Sequence, residues 1–119
     1  MVARSREALE ERAKELSGHY GVDVIPIAKD LFDPKAGREL YSEIASKGLQ
    51  VSLLINDAGQ GAYGKFAEMD LERDLELIHL NIVSLVTLTK LFLKDMLQRN
   101  DGKILQISSL LGQIPTPNK

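Results

Sequence analysis

Two short apolar segments with one long helical pattern between them constrain the fold of this chain most strongly. Residues 51–55 are almost continuously apolar, as expected for a strand with helices on both faces, and residues 103–107 also read as a buried strand. Between them, Asp70 caps a pattern that runs to about Arg99, with apolar residues at spacings of four and three. This order predicts a parallel α/β sheet, because parallel strands need a crossover connection, usually a helix.

The same alternation covers the first half of the chain. Ser5 can cap a first helix that ends near Gly18, and Asp33-Pro34 begins a second helix. Residues 22–28 lie between them as a short β-branched strand, in which Pro26 indicates an edge or an irregularity. We therefore expect one α/β domain over residues 1–119, with three strands alternating with helices.

The composition of the chain limits the kinds of molecule that it is expected to bind. The 119 residues carry 15 Lys and Arg against 17 Asp and Glu, a formal charge of −2, so bulk charge predicts no nucleic-acid and no membrane binding. The sequence has no cysteine, which excludes disulfides and thiolate chemistry. Asn81, Ser84 and Lys90 interrupt the longest apolar run, and no apolar signal core opens the chain, so we expect no membrane span and a cytoplasmic location.

A small-residue turn follows the strand at 51–55. Asn56, Asp57, Ala58 and Gly59 leave its carboxyl end, where open α/β sheets bind their ligands. The small side chains of Ala58 and Gly59 allow a ligand or a neighbouring strand to approach the backbone. A plain strand-to-helix turn explains the same residues, since Asn, Asp and Gly favour turns.

Two further polar positions are candidates for chemistry. Asn81 lies within the long helix although asparagine is a poor helix former, which suggests a role for its amide; a solvent-facing or simply satisfied amide is the alternative. Ser108 and Ser109 end the strand at 103–107, where paired serines more often form caps or turns.

Taken in order, these features resemble the middle of a short-chain dehydrogenase/reductase. The resemblance rests on four features: Asp30, the Asn56–Gly59 turn, Asn81, and Ser108-Ser109 in a Ser-Ser-x-x-Gly-x-x-x-x-Pro segment. The resemblance implies a partial Rossmann-like doubly wound parallel sheet and NAD(P)-dependent oxidation or reduction of a small-molecule alcohol or carbonyl. It also implies two catalytic roles: Ser109 would hydrogen-bond the substrate carbonyl, and Asn81 would hold a water of the proton relay.

The resemblance also implies the cofactor contacts. Asp30 and Leu31 would touch the adenine, and the loop of Asn56, Ala58 and Gly59 would lie against the dinucleotide. Arg4 would meet the ribose 2′-phosphate, which favours NADP over NAD. Without the resemblance, Arg4 is an N-terminal arginine of the kind that is usually solvated. In the same way, Asp30 is an ordinary acidic residue of a loop. The chain departs from the family pattern at the residue after Asn56, where Asp57 replaces an asparagine. No metal is implied.

Two motifs of the family do not occur in these 119 residues. They contain neither the Thr-Gly-x-x-x-Gly-x-Gly phosphate loop nor a Tyr-x-x-x-Lys pair. We therefore expect this chain to be inactive by itself, and the alternative function is a non-catalytic α/β module that associates through the helix at 70–99. In the family sheet, two strands separate the segments at 22–28 and 51–55. Without them, either these two segments pair directly or a second chain supplies the partners.

The long helix carries two apolar rows. We expect the first row to cover the sheet and the second to form a homo-oligomer interface, although the second row could instead pack within the chain. The first row comprises Leu71, Leu75, Ile78, Ile82, Leu85, Thr89, Phe92 and Met96, and the second Leu77, Leu80, Leu88 and Leu91.

Overall fold

The computed structural model describes residues 1–112, and its helices and strands alternate along the chain. Short 3₁₀ turns occupy Phe66–Glu68 and Leu110–Gly112. A π-helical segment, His79–Ser84, joins two α-helices into one continuous rod, Leu71–Arg99. In chain order the strands and α-helices are β1 Val2–Ala3, α1 Arg6–Tyr20, β2 Ile27–Ala28, α2 Ala36–Ser46, β3 Leu53–Asn56, α3 Leu71–Ile78, α4 Leu85–Arg99 and β4 Lys103–Gln106.

The first helix shows how local signals set element bounds. The Ser5 hydroxyl accepts a hydrogen bond from the Ala8 amide at 3.3 Å, which confirms the predicted cap. The prediction that α1 ends near Gly18 was wrong by a few residues. The helix continues to Tyr20 and ends at Gly21, whose φ of 65° lets its amide reach the Ser17 carbonyl.

The strands form two separate parallel pairs. β1 pairs with β2, with Val2 opposite Ile27, and β3 pairs with β4, with Leu53 opposite Lys103. The parallel α/β architecture is thus confirmed, but the direct pairing of residues 22–28 with 51–55 was wrong. The reason is β1, a two-residue strand that the sequence pattern did not reveal and that takes the neighbouring place beside β2.

The core lies between α2 and the rod. Five rod residues four positions apart are buried, and α2 contributes Leu40 to the same core. Partly buried side chains of β3 and β4, Leu54 and Ile104, pack against it. The buried rod residues are Leu80, Ser84, Leu88, Phe92 and Met96.

The expected interface role of the second row was therefore wrong for Leu80 and Leu88, whereas Phe92 and Met96 of the first row are buried as expected. Leu80 and Leu88 are only 7% and 6% exposed, so they pack within the chain, whereas Ile78 and Ile82 of the predicted core row are 50% and 56% exposed. The cause is the π segment, in which one extra residue per turn changes the helical phase between α3 and α4. A sequence pattern that is interpreted with the period of a regular α-helix does not include this change of phase.

The rod is also more apolar than its polar interruptions suggested. By length and composition alone it could cross a membrane, with a mean hydropathy of 1.5, so the expectation of no membrane span stays a prediction. In this fold 28% of its most apolar stretch is buried inside the protein, and its buried row forms the core with α2.

A hydrogen bond ties α2 to the rod beside this core. The Tyr41 hydroxyl donates to Asp95 Oδ2 at 2.8 Å, and the Tyr41 ring meets Phe92 edge-on at 5.3 Å. The bond to Asp95, followed by burial and the negative charge of Asp95, raises the pKa of Tyr41 above its usual 10.0. Ionising Tyr41 would remove the donated proton, so the bond exists only in the protonated form.

We expect this pair to make stability depend on alkaline pH. Because folding raises the pKa of Tyr41, its contribution is complete below about pH 10 and is lost as pH rises through the raised value. Tyr41→Phe should cost about 1 kcal/mol of unfolding free energy at about pH 8, and the difference from the unaltered chain should shrink as pH rises through the raised pKa of Tyr41. Urea unfolding over a series of alkaline pH values measures this. A difference that stays constant with pH would contradict the assignment.

Candidate functional site

A large cavity lies where the two sheets face each other. Its volume is about 950 Å³, and it is bordered by residues that follow the carboxyl ends of β1, β2 and β3. Such strand ends are where ligands bind in open α/β sheets. The cavity brings together all six predicted cofactor-binding residues: Arg4, Asp30, Leu31, Asn56, Ala58 and Gly59.

One hydroxyl fixes the ends of β3 and β4. Asn56, at the end of β3, is buried and donates through Nδ2 to Thr89 Oγ1 at 3.0 Å, and Gln106, at the end of β4, donates to the same oxygen at 3.0 Å. The Asn56 side chain is therefore used to anchor the strand to α4. Its position leaves the backbone after it, Asp57 to Gly59, exposed at the cavity.

The glycine-containing loop after β3 is held by Asn81. Asn81 Oδ1 accepts from the Gln60 amide at 2.9 Å, and its Nδ2 donates to the Gln60 carbonyl at 2.8 Å. The amide of Asn81 thus has the role that its unusual position in a helix suggested, and it lies in the π segment, a feature frequent at functional sites. The structure places it as a clamp on the loop, and its part in a proton relay stays a prediction.

Two arginine side chains lie close to one aromatic ring, that of Phe32. The guanidinium groups of Arg4 and Arg73 lie 5.3 Å and 5.1 Å from the centre of the Phe32 ring, within cation–π range. Arg73 also donates to Gln60 Oε1 at 2.9 Å, so it connects the ring to the clamped loop. Asp30 Oδ1 accepts from the Phe32 amide at 3.1 Å, which fixes the loop that carries the ring.

Leu31 has a mainly structural place. Its side chain is buried in the core, and its carbonyl accepts a hydrogen bond from the Ser84 hydroxyl at 2.7 Å. Leu31 nevertheless lines the cavity, so its adenine contact stays a prediction. Sequence reasoning missed Phe32, Gln60 and Arg73, because their roles depend on loop conformations that have no periodic signal.

Ser109 follows the end of β4. It is exposed three residues beyond β4, its carbonyl accepts from the Gly112 amide at 3.1 Å, and it does not line the cavity. Asn81 does not line the cavity either. Within residues 1–112, no cluster of three or more histidine and carboxylate side chains is placed to hold a metal ion. The structure thus places the six predicted cofactor residues around one cavity, and the catalytic role of Ser109 stays a prediction.

The clamp gives a prediction for the glycine next to it. A Cβ at Gly59 would lie 3.3 Å from Asn81 Oδ1, tighter than an ordinary contact, whereas a Cβ at Gly61 meets nothing within 4 Å. We expect Gly59→Ala and Asn81→Ala to loosen the loop and to speed exchange of the Gln60 amide roughly fivefold, since a net hydrogen bond contributes about 1 kcal/mol. Amide exchange followed by NMR measures this. Gly61→Ala is the matched control, and equal effects of both glycine variants would contradict the clamp.

Comparisons with known proteins give the family. The family model described as short chain dehydrogenase matches residues 1–119. A very-long-chain 3-oxoacyl-CoA reductase of Anas platyrhynchos is 34% identical over 123 residues, covering 98% of this chain and 38% of the relative. An NADP-dependent 3-hydroxy acid dehydrogenase of Schizosaccharomyces pombe is 27% identical, covering 95% of this chain and 44% of the relative. The chain therefore spans well under half the length of these curated relatives.

Solved structures agree with this result. A short-chain dehydrogenase from Sphingobium yanoikuyae in complex with NADPH has a TM-score of 0.89 and 28% identity, covering 98% of this chain and 45% of that one. An actinorhodin polyketide ketoreductase with NADPH has a TM-score of 0.87 and 28% identity, with coverages of 98% and 45%. The partial Rossmann-like fold that the resemblance implied is thereby confirmed. By family match, relatives and fold together, this chain belongs to the short-chain dehydrogenase family.

Proposed function

We propose that this chain forms one edge of the cofactor site of an NADP-dependent oxidoreductase that interconverts a carbonyl and an alcohol. The observation that carries the proposal is the convergence of six predicted cofactor residues on one cavity beside the strand ends. The relatives support the chemistry: their names include a 3-oxoacyl-CoA reductase and an NADP-dependent dehydrogenase.

The residues present suit a phosphorylated dinucleotide. Ala58 and Gly59 expose backbone at the cavity, which allows a flat group to approach closely. Arg4 places a permanent positive charge at the border of the same cavity, where it would favour the extra phosphate of NADP. Asp30 would accept a hydrogen bond from the adenosine half. When bound, NADPH supplies the hydride for carbonyl reduction.

Ser109 and Asn81 take the roles nearest to the substrate. The Ser109 hydroxyl would donate a hydrogen bond to the substrate carbonyl oxygen and polarise it, which requires no general base. Asn81 would position the loop at Gln60 and hold a water for proton transfer. These 119 residues contain no Tyr-x-x-x-Lys pair, so we assign no proton donor among them.

A second function, association through the rod, has its own supporting observation. Large apolar side chains on one side of the rod are exposed, and patches of this kind mark interfaces between proteins. We propose that this exposed row supports a cytoplasmic homo-oligomer, which is compatible with the redox function. The exposed row comprises Leu71, Leu75, Ile78, Ile82, Val86, Leu93 and Leu97.

Nucleotide titration of the full 119-residue chain tests the cofactor proposal. We expect NADPH to bind more tightly than NADH, and Arg4→Ala to weaken NADPH about tenfold while leaving NADH unchanged, since a charge-assisted contact is worth about 1.5 kcal/mol. Isothermal calorimetry measures both affinities. Arg6→Ala is the matched control, because Arg6 is exposed and its guanidinium lies 4.0 Å from Glu10 on α1. Equal losses in the two variants, or no binding of either nucleotide at millimolar concentration, would contradict the proposal.

A further inference from the structure

The positive charge of Arg4 is held by an aromatic ring and not by an acid. Within residues 1–112, the Arg4 side chain has neither an ion pair nor a hydrogen bond, and its guanidinium lies 5.3 Å from the centre of the Phe32 ring. The attraction between a cation and a ring requires no hydrogen bond. The N–H donors of the Arg4 guanidinium therefore remain available for the oxygens of a phosphate group.

The pairing of β1 with β2 brings Arg4 and Phe32 together. The register places Ala3 beside Ala28, so Arg4 and the loop that carries Phe32 leave neighbouring strand ends. Within that loop, the Phe32 amide donates to Asp30 Oδ1 at 3.1 Å. Backbone hydrogen bonds thus fix the place of the ring on the border of the cavity that Arg4 also lines.

A second guanidinium, that of Arg73, holds the same ring from behind. It lies 5.1 Å from the centre of the Phe32 ring, and within residues 1–112 the cavity is lined by Phe32 and Gln60 but not by Arg73. Arg73 also donates to Glu76 Oε2 and to Gln60 Oε1, each at 2.9 Å. Because the carboxylate of Glu76 compensates its charge, Arg73 adds little attraction for an anion. Its contribution is geometric, since it fixes the ring to the loop at Gln60.

A fixed ring lowers the cost of ordering Arg4. Arg4 is exposed, and immobilising one long side chain when a ligand binds weakens affinity by a factor of roughly five. The contact with Phe32 orders the guanidinium before the ligand arrives. Arg73 contributes to this effect indirectly, by restricting the ring.

We propose that Phe32 and Arg73 are positioning residues for the 2′-phosphate of NADP: Arg73 fixes the Phe32 ring, and the ring holds the Arg4 guanidinium ready for the phosphate. This inference rests on the proposed function of the site and names two residues that determine its nucleotide specificity. In this arrangement neither residue needs to contact the phosphate.

The adenosine half of the cofactor tests the inference on the full 119-residue chain. The probe is adenosine 2′,5′-bisphosphate, and adenosine 5′-monophosphate and adenosine 3′,5′-bisphosphate are compared with it in NMR titrations. The first comparison lacks the 2′-phosphate, and the second carries the same charge at another position. We expect the probe to bind most tightly. Phe32→Leu and Arg73→Lys should each weaken it about fivefold and leave the 5′-monophosphate unchanged, because lysine keeps the charge but lacks the planar guanidinium.

Matched substitutions separate positioning from general effects. Phe32→Tyr keeps the aromatic ring, so it should bind the probe as the unaltered chain does. Phe66→Leu changes a phenylalanine that is 84% exposed. Arg12→Lys changes an arginine that, like Arg73, pairs with a glutamate three positions later. We expect none of these three variants to alter the preference for the 2′-phosphate.

A measurement without nucleotide detects the positioning itself. The ring current of Phe32 should shift the NMR signals of the Arg4 side-chain protons, and Arg73→Lys should reduce this shift. Absence of the shift, or a shift that Arg73→Lys leaves unchanged, would contradict the positioning.

The nucleotide titrations distinguish this inference from the proposed function. If none of the three nucleotides binds at millimolar concentration, or if the 2′-phosphate gives no preference, the proposed function fails and this inference fails with it. If the preference is present but neither Phe32→Leu nor Arg73→Lys reduces it, the inference alone is wrong.

Discussion

Replacing Leu80 and Leu88 together by lysine is expected to unfold this chain. Both side chains are buried in the core between α2 and the rod, and among the described residues they have no acidic partner in the core cluster. Burying an unpaired ammonium group costs at least about 3 kcal/mol, and a domain of this size is stable by only about 5–15 kcal/mol. Loss of the cooperative transition in circular dichroism measures the effect.

The matched control lies on the other side of the same rod. Ile78 and Ile82 are half-exposed, so Ile78→Lys with Ile82→Lys should leave the fold intact. If the exposed row forms a homo-oligomer, Ile78→Lys with Ile82→Lys should dissociate the oligomer. Light scattering measures the resulting decrease in mass. A folded, soluble Leu80→Lys/Leu88→Lys chain would contradict the placement of the core. An oligomer that survives the Ile78/Ile82 change would contradict the interface.

The second large effect concerns catalysis. We expect the 119-residue chain by itself to reduce carbonyl substrates at least about 10³-fold more slowly than family members that carry the complete catalytic set, because removing parts of a catalytic unit typically costs that much or more. In the proposed reaction, Ser109 would polarise the carbonyl oxygen but would not supply the proton that the new alkoxide needs. Nicotinamide absorbance in the presence of NADPH and small ketones measures turnover.

The control for this prediction is Ser109→Ala. Since we expect no turnover that depends on Ser109, the variant and the unaltered chain should give the same background rate. A measurable rate that disappears in Ser109→Ala would show that the chain alone completes the reaction. In that case, the proton donor would have to be found among these 119 residues.

Sequence reasoning succeeded where the signals were local. The Ser5 cap and the apolar strands at 51–55 and 103–107 all follow from neighbouring residues and appear in the structure, the strands with shifted ends. The expected burial of the two strands was wrong, since Leu53, Ile55 and Leu105 are 51%, 52% and 47% exposed. The candidate cofactor residues each follow a strand end or lie in a turn, and their cofactor contacts stay predictions. Arg4, Asp30 and Gly59 are far apart in sequence, yet they border the same cavity.

The failures arose where distant parts of the chain decide the outcome. β1 has two residues, too few for a pattern, and its pairing with β2 changed the arrangement of the sheet. The partners of Asn81 and Arg73 depend on the path of the loop at Gln60, which one sequence does not specify. The roles of the two rows on the rod depended on the π segment, which has no composition signal of its own.

That π segment makes the alignment of the rod depend on its hydrogen-bond pattern. Its six residues turn the rod about as far as five α-helical residues would, because a π turn holds about one residue more than an α turn. If the segment became a regular α-helix with all six residues kept, α4 would rotate by about 100° relative to α3, the angle of one helical residue. Leu88, Phe92 and Met96 would then turn away from α2 together, although none of them had been changed. Deleting one residue between His79 and Ser84 would instead allow a regular α-helix that keeps this alignment.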